Sequence, residues 1–172
     1  ELSTGVCNQL QQAAAALKKT TNPLHMQVFW VPPNFAHISL LYTVRIREDL
    51  QAGVTEALRG AVADVEPFNV KVRGLSLHEE DDGEGGQKVK AIWARVTEAD
   101  GLGDLRTRMR ASLADLNVQL DDLEFSPHVP IALVDQFRNT REFNSAFVEW
   151  QDQDFGDVTV QAVLLKKSNP LQ

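Results

Sequence analysis

Two short segments of the chain each place a histidine at the head of an apolar run. The first segment, residues 35–42, contains His37, and the second, residues 125–133, contains His128. Side chains two apart in a strand point to the same face, so His37 would share its face with Ser39. An imidazole changes protonation near neutral pH. Two histidines that face one groove can therefore serve as general base and general acid on a single phosphate or carbonyl group.

The hydroxyl of Ser39 would add a hydrogen-bond donor for a phosphate oxygen beside the first histidine. This scheme requires no metal and no cofactor. The carboxylates nearest the histidines in sequence, Glu124 and Asp135, do not have a recognisable metal-ligand spacing. The alternative to a catalytic role is a structural one. A single strand histidine is often part of the packing only, and Ser39 can equally form a hydrogen bond with a neighbouring backbone group.

Length and charge limit the classes of function. The chain has 172 residues, which suffices for one domain or two closely packed lobes. Its 24 acidic and 17 basic residues give a net charge of −7, which argues against a broad duplex-binding face but permits a small nucleotide or an RNA end in a local basic pocket. Cys7 is the single cysteine and cannot form an internal disulfide.

The location expected from the sequence is the cytoplasm or the nucleus. No apolar run approaches membrane-spanning length and no signal peptide opens the chain, so we expect neither secretion nor membrane association. The start at Glu1 favours a processed chain or a domain taken from a longer protein. We expect a monomer.

Hydrophobic periodicity predicts an α+β fold. The helix–strand–histidine order occurs twice, which favours two similar lobes that present the histidines to one groove. An acidic, glycine-rich and mobile loop is expected at residues 78–86. Helices are predicted at residues 8–19, 47–65, 102–116 and 141–150, and strands at residues 26–31, 36–46, 68–77, 88–97, 125–134 and 158–166.

The two histidine segments resemble the two-histidine phosphoesterase superfamily. Residues 37–40 are similar to its histidine, apolar, serine-or-threonine, apolar motif, and residues 125–129 are similar to the start of its second motif. The lead-in 30–34 and the hairpin segments around 70–74 and 91–93 also resemble it. The family includes RNA 2′,3′-cyclic phosphodiesterases, first named 2′-5′ RNA ligases, and relatives that cut 2′,5′-oligoadenylate. The resemblance extends from about residue 10 to residue 165.

The resemblance implies a bilobal α+β fold, with two pseudo-symmetric lobes of antiparallel sheet, helices outside and a central groove. It also implies a metal-independent phosphodiesterase for RNA 2′,3′-cyclic phosphate ends or 2′,5′-linked oligonucleotides. His37 and His128 would be catalytic, and Ser39 would steady a non-bridging oxygen. Substrate contacts would come from further side chains: Tyr42, Trp30 and Trp93 by stacking on a base, Lys71, Arg73 and Arg95 by charge, and the position of Pro130.

Several of these residues also have a structural interpretation. Trp93 and Trp150 are equally typical of a core, and Lys71 and Arg73 are typical of an exposed strand face. His25 and His78 are expected to be solvated. Other functions also remain open, namely a noncatalytic nucleotide- or RNA-binding module on the same fold, or an interaction domain of a longer protein.

The chain departs from the family pattern at Pro130, where the family has serine or threonine. Proline offers no hydroxyl and no backbone N–H, so this strand position is expected to be unpaired or at a sheet edge. Losing one charge-assisted bond to phosphate would cost about 1.5–3 kcal/mol. The family also usually opens with a strand before the first helix, and none is evident before Asn8.

Overall fold

Five strands and four α-helices make up the regular structure of the protein, seen in a computed structural model that describes residues 2–22, 26–32, 35–42, 46–81, 83–122 and 124–166. The helices are α1 (Thr4–Thr21), α2 (Gln51–Val62), α3 (Asp100–Leu113) and α4 (Arg141–Val148), with short 3₁₀ turns at Glu48–Leu50 and Ala114–Leu116. The strands are β1 (Gln27–Trp30), β2 (Phe68–Asp81), β3 (Gln87–Thr97), β4 (His128–Gln136) and β5 (Asp154–Val160).

The strands form one sheet in the order β1-β4-β3-β2-β5. The pairs β1–β4, β2–β3 and β3–β4 are antiparallel, and the predicted α+β class is confirmed. Strand β4 therefore lies inside the sheet. Residues of β3 and β4 on one side are removed from water: Ile92, Ala94, Val129 and Ala132 all have 0% exposure. This burial fixes the register, because a one-residue slip would expose these side chains.

Helix α1 begins where Ser3 caps it, since the Ser3 hydroxyl accepts a hydrogen bond from the amide of Val6 at 3.3 Å. Its last turn carries Lys18 and Lys19, whose charges suit the negative end of the helix dipole. The buried residues of α1 recur at helical spacing: Val6, Leu10, Ala13, Leu17 and Thr21. Helix α1 contacts β1, β4 and α4.

The chain divides into two compact units. The first comprises residues 1–39, 69–99 and 126–159, and it holds the sheet with α1 and α4. The second comprises residues 40–68, 100–125 and 160–172, and it is built on α2 and α3. In the described part of the chain every strand lies in the first unit, apart from the end residues Phe68 and Val160. The two units thus differ in their content of strand and helix.

Helices α2 and α3 of the second unit pack through a small apolar cluster of Ala61, Leu105 and Met109. A polar network holds the segment at residues 40–42. Arg106 donates to the carbonyl of Leu40 at 3.1 Å and to the Asp121 carboxylate at 3.0 Å. The same carboxylate accepts from the amide of Tyr42 at 2.9 Å.

This network explains one difference from the sequence prediction. The strand expected at residues 36–46 is wrong for residues 36–42, which adopt no regular structure. Side chains of Arg106 and Asp121 satisfy the backbone groups of Leu40 and Tyr42 that a strand ladder would otherwise use.

Across the described ranges, no helix is both long and apolar enough to cross a membrane.

Gly74 makes a tight connection within the first unit. It has φ +73°, and its amide donates to the carbonyl of Gln153 at 2.8 Å. The next amide, of Leu75, donates to the carbonyl of Trp150 at 2.9 Å. A β-carbon at Gly74 would collide with the Gln151 carbonyl oxygen and with the guanidinium of Arg95. The segment between α4 and β5 can lie against β2 only because residue 74 lacks a side chain.

We expect Gly74→Ala to lower the free energy of unfolding by more than about 3 kcal/mol. Positive φ alone costs about 1–3 kcal/mol for a side-chain-bearing residue, and a backbone collision adds to it. Gly83→Ala is the matched control, since Gly83 has φ +79° but nothing within 4 Å of its would-be β-carbon. Urea unfolding of the three proteins measures both losses. Equal losses in the two variants would show that the packing at Gly74 contributes nothing.

Candidate active site

His128 is the first residue of β4, and the chain before it is already attached to β3. The carbonyl of Pro127 accepts a hydrogen bond from the amide of Val96 at 3.1 Å. His128 itself lies opposite Arg95 on β3. Its side chain is half-buried, on the sheet side opposite Val129, which is fully buried. Backbone pairing with β3 therefore fixes the position of His128 on the sheet and the face on which its imidazole lies.

The two motif histidines make the same local hydrogen bond. His37 Nδ1 lies 2.7 Å from the carbonyl oxygen of Phe35, and His128 Nδ1 lies 2.7 Å from that of Ser126. A carbonyl oxygen can only accept, so Nδ1 must carry the proton in both rings. Each neutral imidazole then has its lone pair on Nε2, and each imidazolium has a transferable proton there.

A stack of three rings surrounds the second histidine. The indole of Trp93 lies between two imidazoles, with ring centroids 3.7 Å from His128 at an interplanar angle of 13° and 3.8 Å from His78 at 15°. Both faces of the indole are thus in contact with a ring. The indole therefore has no open face, and a base could stack on Trp93 only after displacing one of the histidines. The expected stacking role of Trp93 stays a prediction.

Sheet register produces this stack. Trp93 on β3 lies opposite Ser76 on β2 and opposite Pro130 on β4. His78 is two residues beyond Ser76, and His128 is two residues before Pro130, so both side chains share the sheet face of Trp93. Diagonal neighbours of this kind are within reach of aromatic side chains.

The pKa of His128 is lowered from its ordinary value of 6.5, mainly because burial disfavours the charged ring. The hydrogen bond to the Ser126 carbonyl opposes this shift. Positive charge on His78 and on His37 lowers the pKa of His128 further. The neutral form, with its Nε2 lone pair, is therefore favoured near neutral pH.

His37 lies in an irregular segment after β1 instead of in the predicted strand. The amide of Phe35, two residues before it, donates a hydrogen bond to the carbonyl of Pro32 at 2.9 Å. The imidazole of His37 is exposed, and its charge reaches His128. Ser39 is half-buried two residues later. Because this segment is not a strand, alternation no longer places Ser39 beside His37, and the role of Ser39 stays a prediction.

Pro130 was expected to be unpaired or at a sheet edge, and the edge alternative is wrong because β4 is an interior strand. The register between β3 and β4 shifts between Ile92 and Trp93, where Ile92 faces Ala132 and Trp93 faces Pro130. This irregularity leaves Ile131 as an extra residue on β4. A bulge is one of the few interior positions that tolerate proline, because the ladder is already interrupted there.

The predicted cationic and aromatic contacts are dispersed. The guanidinium of Arg95 donates to the carbonyl of Gln151 and lies 3.8 Å from Asp152, so it is bound to the segment after α4. Arg73 is exposed on β2. Tyr42, 53% exposed, belongs to the second unit. The amine of Lys71 lies within 3.9–4.0 Å of three carboxylates, those of Glu98, Asp154 and Asp157.

An apolar cavity of about 250 Å³ adjoins the residues that flank both histidines. Ala36, which precedes His37, and Pro130 both line it, together with Trp30 at the end of β1. Helix α1 supplies the opposite wall, with Gln11 and Lys18 as its polar members. The cavity therefore suits an apolar or aromatic group better than a phosphate.

A comparison with protein families identifies the family of the chain. A sequence model of the 2′-5′ RNA ligase superfamily matches residues 9–167. The chain is a member of the 2′-5′ RNA ligase superfamily. The match covers both histidine segments and the hairpin between them, so the resemblance to two-histidine phosphoesterases is confirmed.

Superfamily relatives are distant in sequence. An RNA 2′,3′-cyclic phosphodiesterase of Methanothermobacter thermautotrophicus is 20% identical over 159 residues, which is 92% of this chain and 83% of the relative. One of Aeropyrum pernix is 27% identical over 133 residues, covering 77% and 72%. The crystal structure of TT0787 of Thermus thermophilus matches with a TM-score of 0.61 at 22% identity, covering 87% of this chain and 79% of that one. This last likeness concerns the fold alone.

His78 belongs to the surroundings of the candidate site, which the sequence did not predict. We expected it at the start of a mobile loop, but β2 continues to Asp81 and only residues 83–86, with the undescribed position 82, separate the hairpin strands. Within the strand, His78 shares a face with Ser76, which is opposite Trp93. Extending β2 until the glycine-rich turn would have revealed this. His25, the other histidine expected to be solvated, lies outside the described residues.

We expect the stability of the protein to fall as the pH drops below about 6.5, in part because of His128. Its pKa is lower in the folded state than in the unfolded state, so the unfolded chain binds a proton first as the pH falls. The associated stability is complete above the unfolded pKa and is lost as the pH falls through the folded pKa.

Urea unfolding between about pH 5 and pH 8 measures this loss in the wild type and in His128→Gln. The variant lacks the titrating ring and should lose less stability across the same pH window. Parallel curves for the two proteins would contradict the lowered pKa of His128.

Proposed function

We propose that the chain is a phosphodiesterase that acts on RNA 2′,3′-cyclic phosphate ends or on 2′,5′-linked oligonucleotides by histidine acid–base catalysis. One observation carries the proposal, namely the matched Nδ1 hydrogen bonds of His37 and His128. They leave both Nε2 atoms available for proton transfer. Relatives named RNA 2′,3′-cyclic phosphodiesterase support the choice of substrate class.

We assign the general base to His128, since burial favours its neutral form. Its Nε2 removes a proton from water as the water oxygen attacks phosphorus. The bond from phosphorus to one ribose oxygen breaks, and the Nε2 proton of His37 moves to that oxygen. Water thus supplies the oxygen of the new P–O bond and the proton that His128 holds. The exposed ring of His37 then regains a proton from solvent, and His128 releases to solvent the proton that it took from water.

His37→Ala and His128→Ala should each reduce kcat by at least about 10²-fold, since general acid–base contributions are typically about 10²–10⁴-fold. The assay uses an RNA ending in a 2′,3′-cyclic phosphate and, separately, a 2′,5′-linked oligoadenylate. Gln12→Ala, on an exposed position of α1, is the control and should keep wild-type activity. Full hydrolysis of both substrates by either histidine variant would overturn the paired scheme.

A noncatalytic nucleotide-binding module is the second candidate, and Pro130 is the observation that favours it. The superfamily resemblance places a serine or threonine hydroxyl at this position, and proline cannot supply it. If the wild type binds the cyclic-phosphate RNA but never converts it, this second function replaces the first.

Pro130→Ser should raise kcat about 10- to 100-fold if the missing hydroxyl limits turnover, because one charge-assisted hydrogen bond is worth about 1.5–3 kcal/mol. Pro130→Ala is the matched control, since it removes the ring but adds no donor. Steady-state kinetics on the cyclic-phosphate RNA compares the three proteins. Equal rates in the Ser and Ala variants would mean that a hydroxyl at position 130 does not reach the phosphate.

A further inference from the structure

Trp93 and His78 occupy positions that the acid–base scheme does not use, yet they form one stack with the proposed general base. The three rings of His78, Trp93 and His128 are nearly parallel and at van der Waals separation. They come from three neighbouring strands, β2, β3 and β4. Three aligned rings on adjacent strands form a rigid unit, because each strand is held by its ladder.

We propose that Trp93 and His78 are positioning residues for His128. The stack sets the plane of the His128 imidazole and shields one face of it from water, so that Nε2 points in a single direction. The effect on catalysis rests on the proposed function, but the positioning of the His128 imidazole can be measured without any activity.

Two contacts together restrict the imidazole of His128. The hydrogen bond from Nδ1 to the Ser126 carbonyl fixes one ring edge, but a ring can still tilt about such a bond. The indole of Trp93 at 3.7 Å prevents that tilt on one side. Supporting contacts of this kind hold a reacting group in its productive geometry, and small misplacements reduce rate steeply.

His78 completes the unit by covering the outer face of Trp93. Its Nε2 lies 3.4 Å from the carboxylate of Glu80, and its side chain is 32% exposed. The indole is therefore enclosed between two rings and cannot swing away from His128 without losing both stacking contacts. Stacked aromatic pairs are favourable beyond the area they bury, so the enclosed position of the indole is the stable one.

The stack also contributes to the proton affinity of His128. Burial is the largest cause of its lowered pKa, and Trp93 covers one ring face. Charge on His78, on the far side of the indole, and on His37 lowers the pKa further. Other charged groups nearby are Glu80, which faces His78, and Arg95, which lies opposite His128 but whose guanidinium is bound at the Gln151 carbonyl.

The test separates ring contact from charge with four variants. Trp93→Leu removes the stack, and Trp93→Phe retains a ring. His78→Ala uncovers the indole, and His78→Phe retains a ring there without a titrating group. Phe29→Leu is the control, because it removes an exposed ring from β1 of the same sheet. Urea unfolding curves are recorded first, and the measurements are made at a pH and temperature at which every variant is folded.

The first measurement is independent of activity: the pKa of His128 from imidazole ¹⁵N NMR titration. We expect Trp93→Leu to raise it toward about 6.5, because the ring becomes hydrated. Trp93→Phe should keep most of the lowered value, and Phe29→Leu should match the wild type. A His128 pKa that is unchanged in Trp93→Leu would overturn the positioning role, whether or not the protein hydrolyses RNA.

The second measurement is the division between kcat and KM on the cyclic-phosphate RNA. A positioning role predicts that Trp93→Leu lowers kcat about 10- to 100-fold with little change in KM, and that Trp93→Phe and His78→Phe restore most of it. A raised KM with unchanged kcat would instead assign Trp93 to base stacking and overturn the proposal. A shifted His128 pKa in a protein without turnover would sink the proposed function and leave the positioning role standing.

Discussion

A hydrogen bond from an imidazole nitrogen to a backbone carbonyl determines how the site can work. Carbonyl oxygens only accept, so the contacts of His37 with Phe35 and of His128 with Ser126 place the proton on Nδ1 in both rings. The two-residue spacing between histidine and carbonyl is the same in both motifs. The same local hydrogen bond thus leaves Nε2 of both neutral rings without a proton, although His128 starts a strand and His37 lies in an irregular segment.

Register within the sheet determines the surroundings of His128. The shift between Ile92 and Trp93 allows Pro130 to occupy an interior strand and leaves Trp93 opposite it. From that position the indole contacts His128 on one side and His78 on the other. The pairing of β3 with β4 thus brings Trp93 to His128, and the pairing of β3 with β2 brings it to His78.

Much of the architecture was predictable from periodicity. The stripe of α1, the long hairpin of β2 and β3, and the apolar positions of α3 indicated the correct element types, because local spacing reports the buried face directly. The strand expected at residues 36–46 was wrong for residues 36–42, because side chains of Arg106 and Asp121 satisfy that backbone from a distance in sequence. No local pattern contains such contacts.

The sequence motifs predict His37 and His128 as the candidate catalytic pair, and their catalytic role stays a prediction. The stack with His78 depends on the pairing of residues across strands, which no local sequence pattern shows. Arg95 and Lys71 were expected to offer positive charge to a substrate, yet the guanidinium of Arg95 donates to the Gln151 carbonyl and the amine of Lys71 lies near three carboxylates. The sequence shows which side chains are charged, but the groups that each charge contacts depend on the tertiary structure.

Long-range ¹H–¹⁵N correlations of the imidazole nitrogens report the tautomers of neutral His37 and His128 directly. We expect a protonated Nδ1 and an unprotonated Nε2 in both rings. A proton on Nε2 of either neutral ring would contradict it, because that ring could not accept a proton on the atom assigned to catalysis.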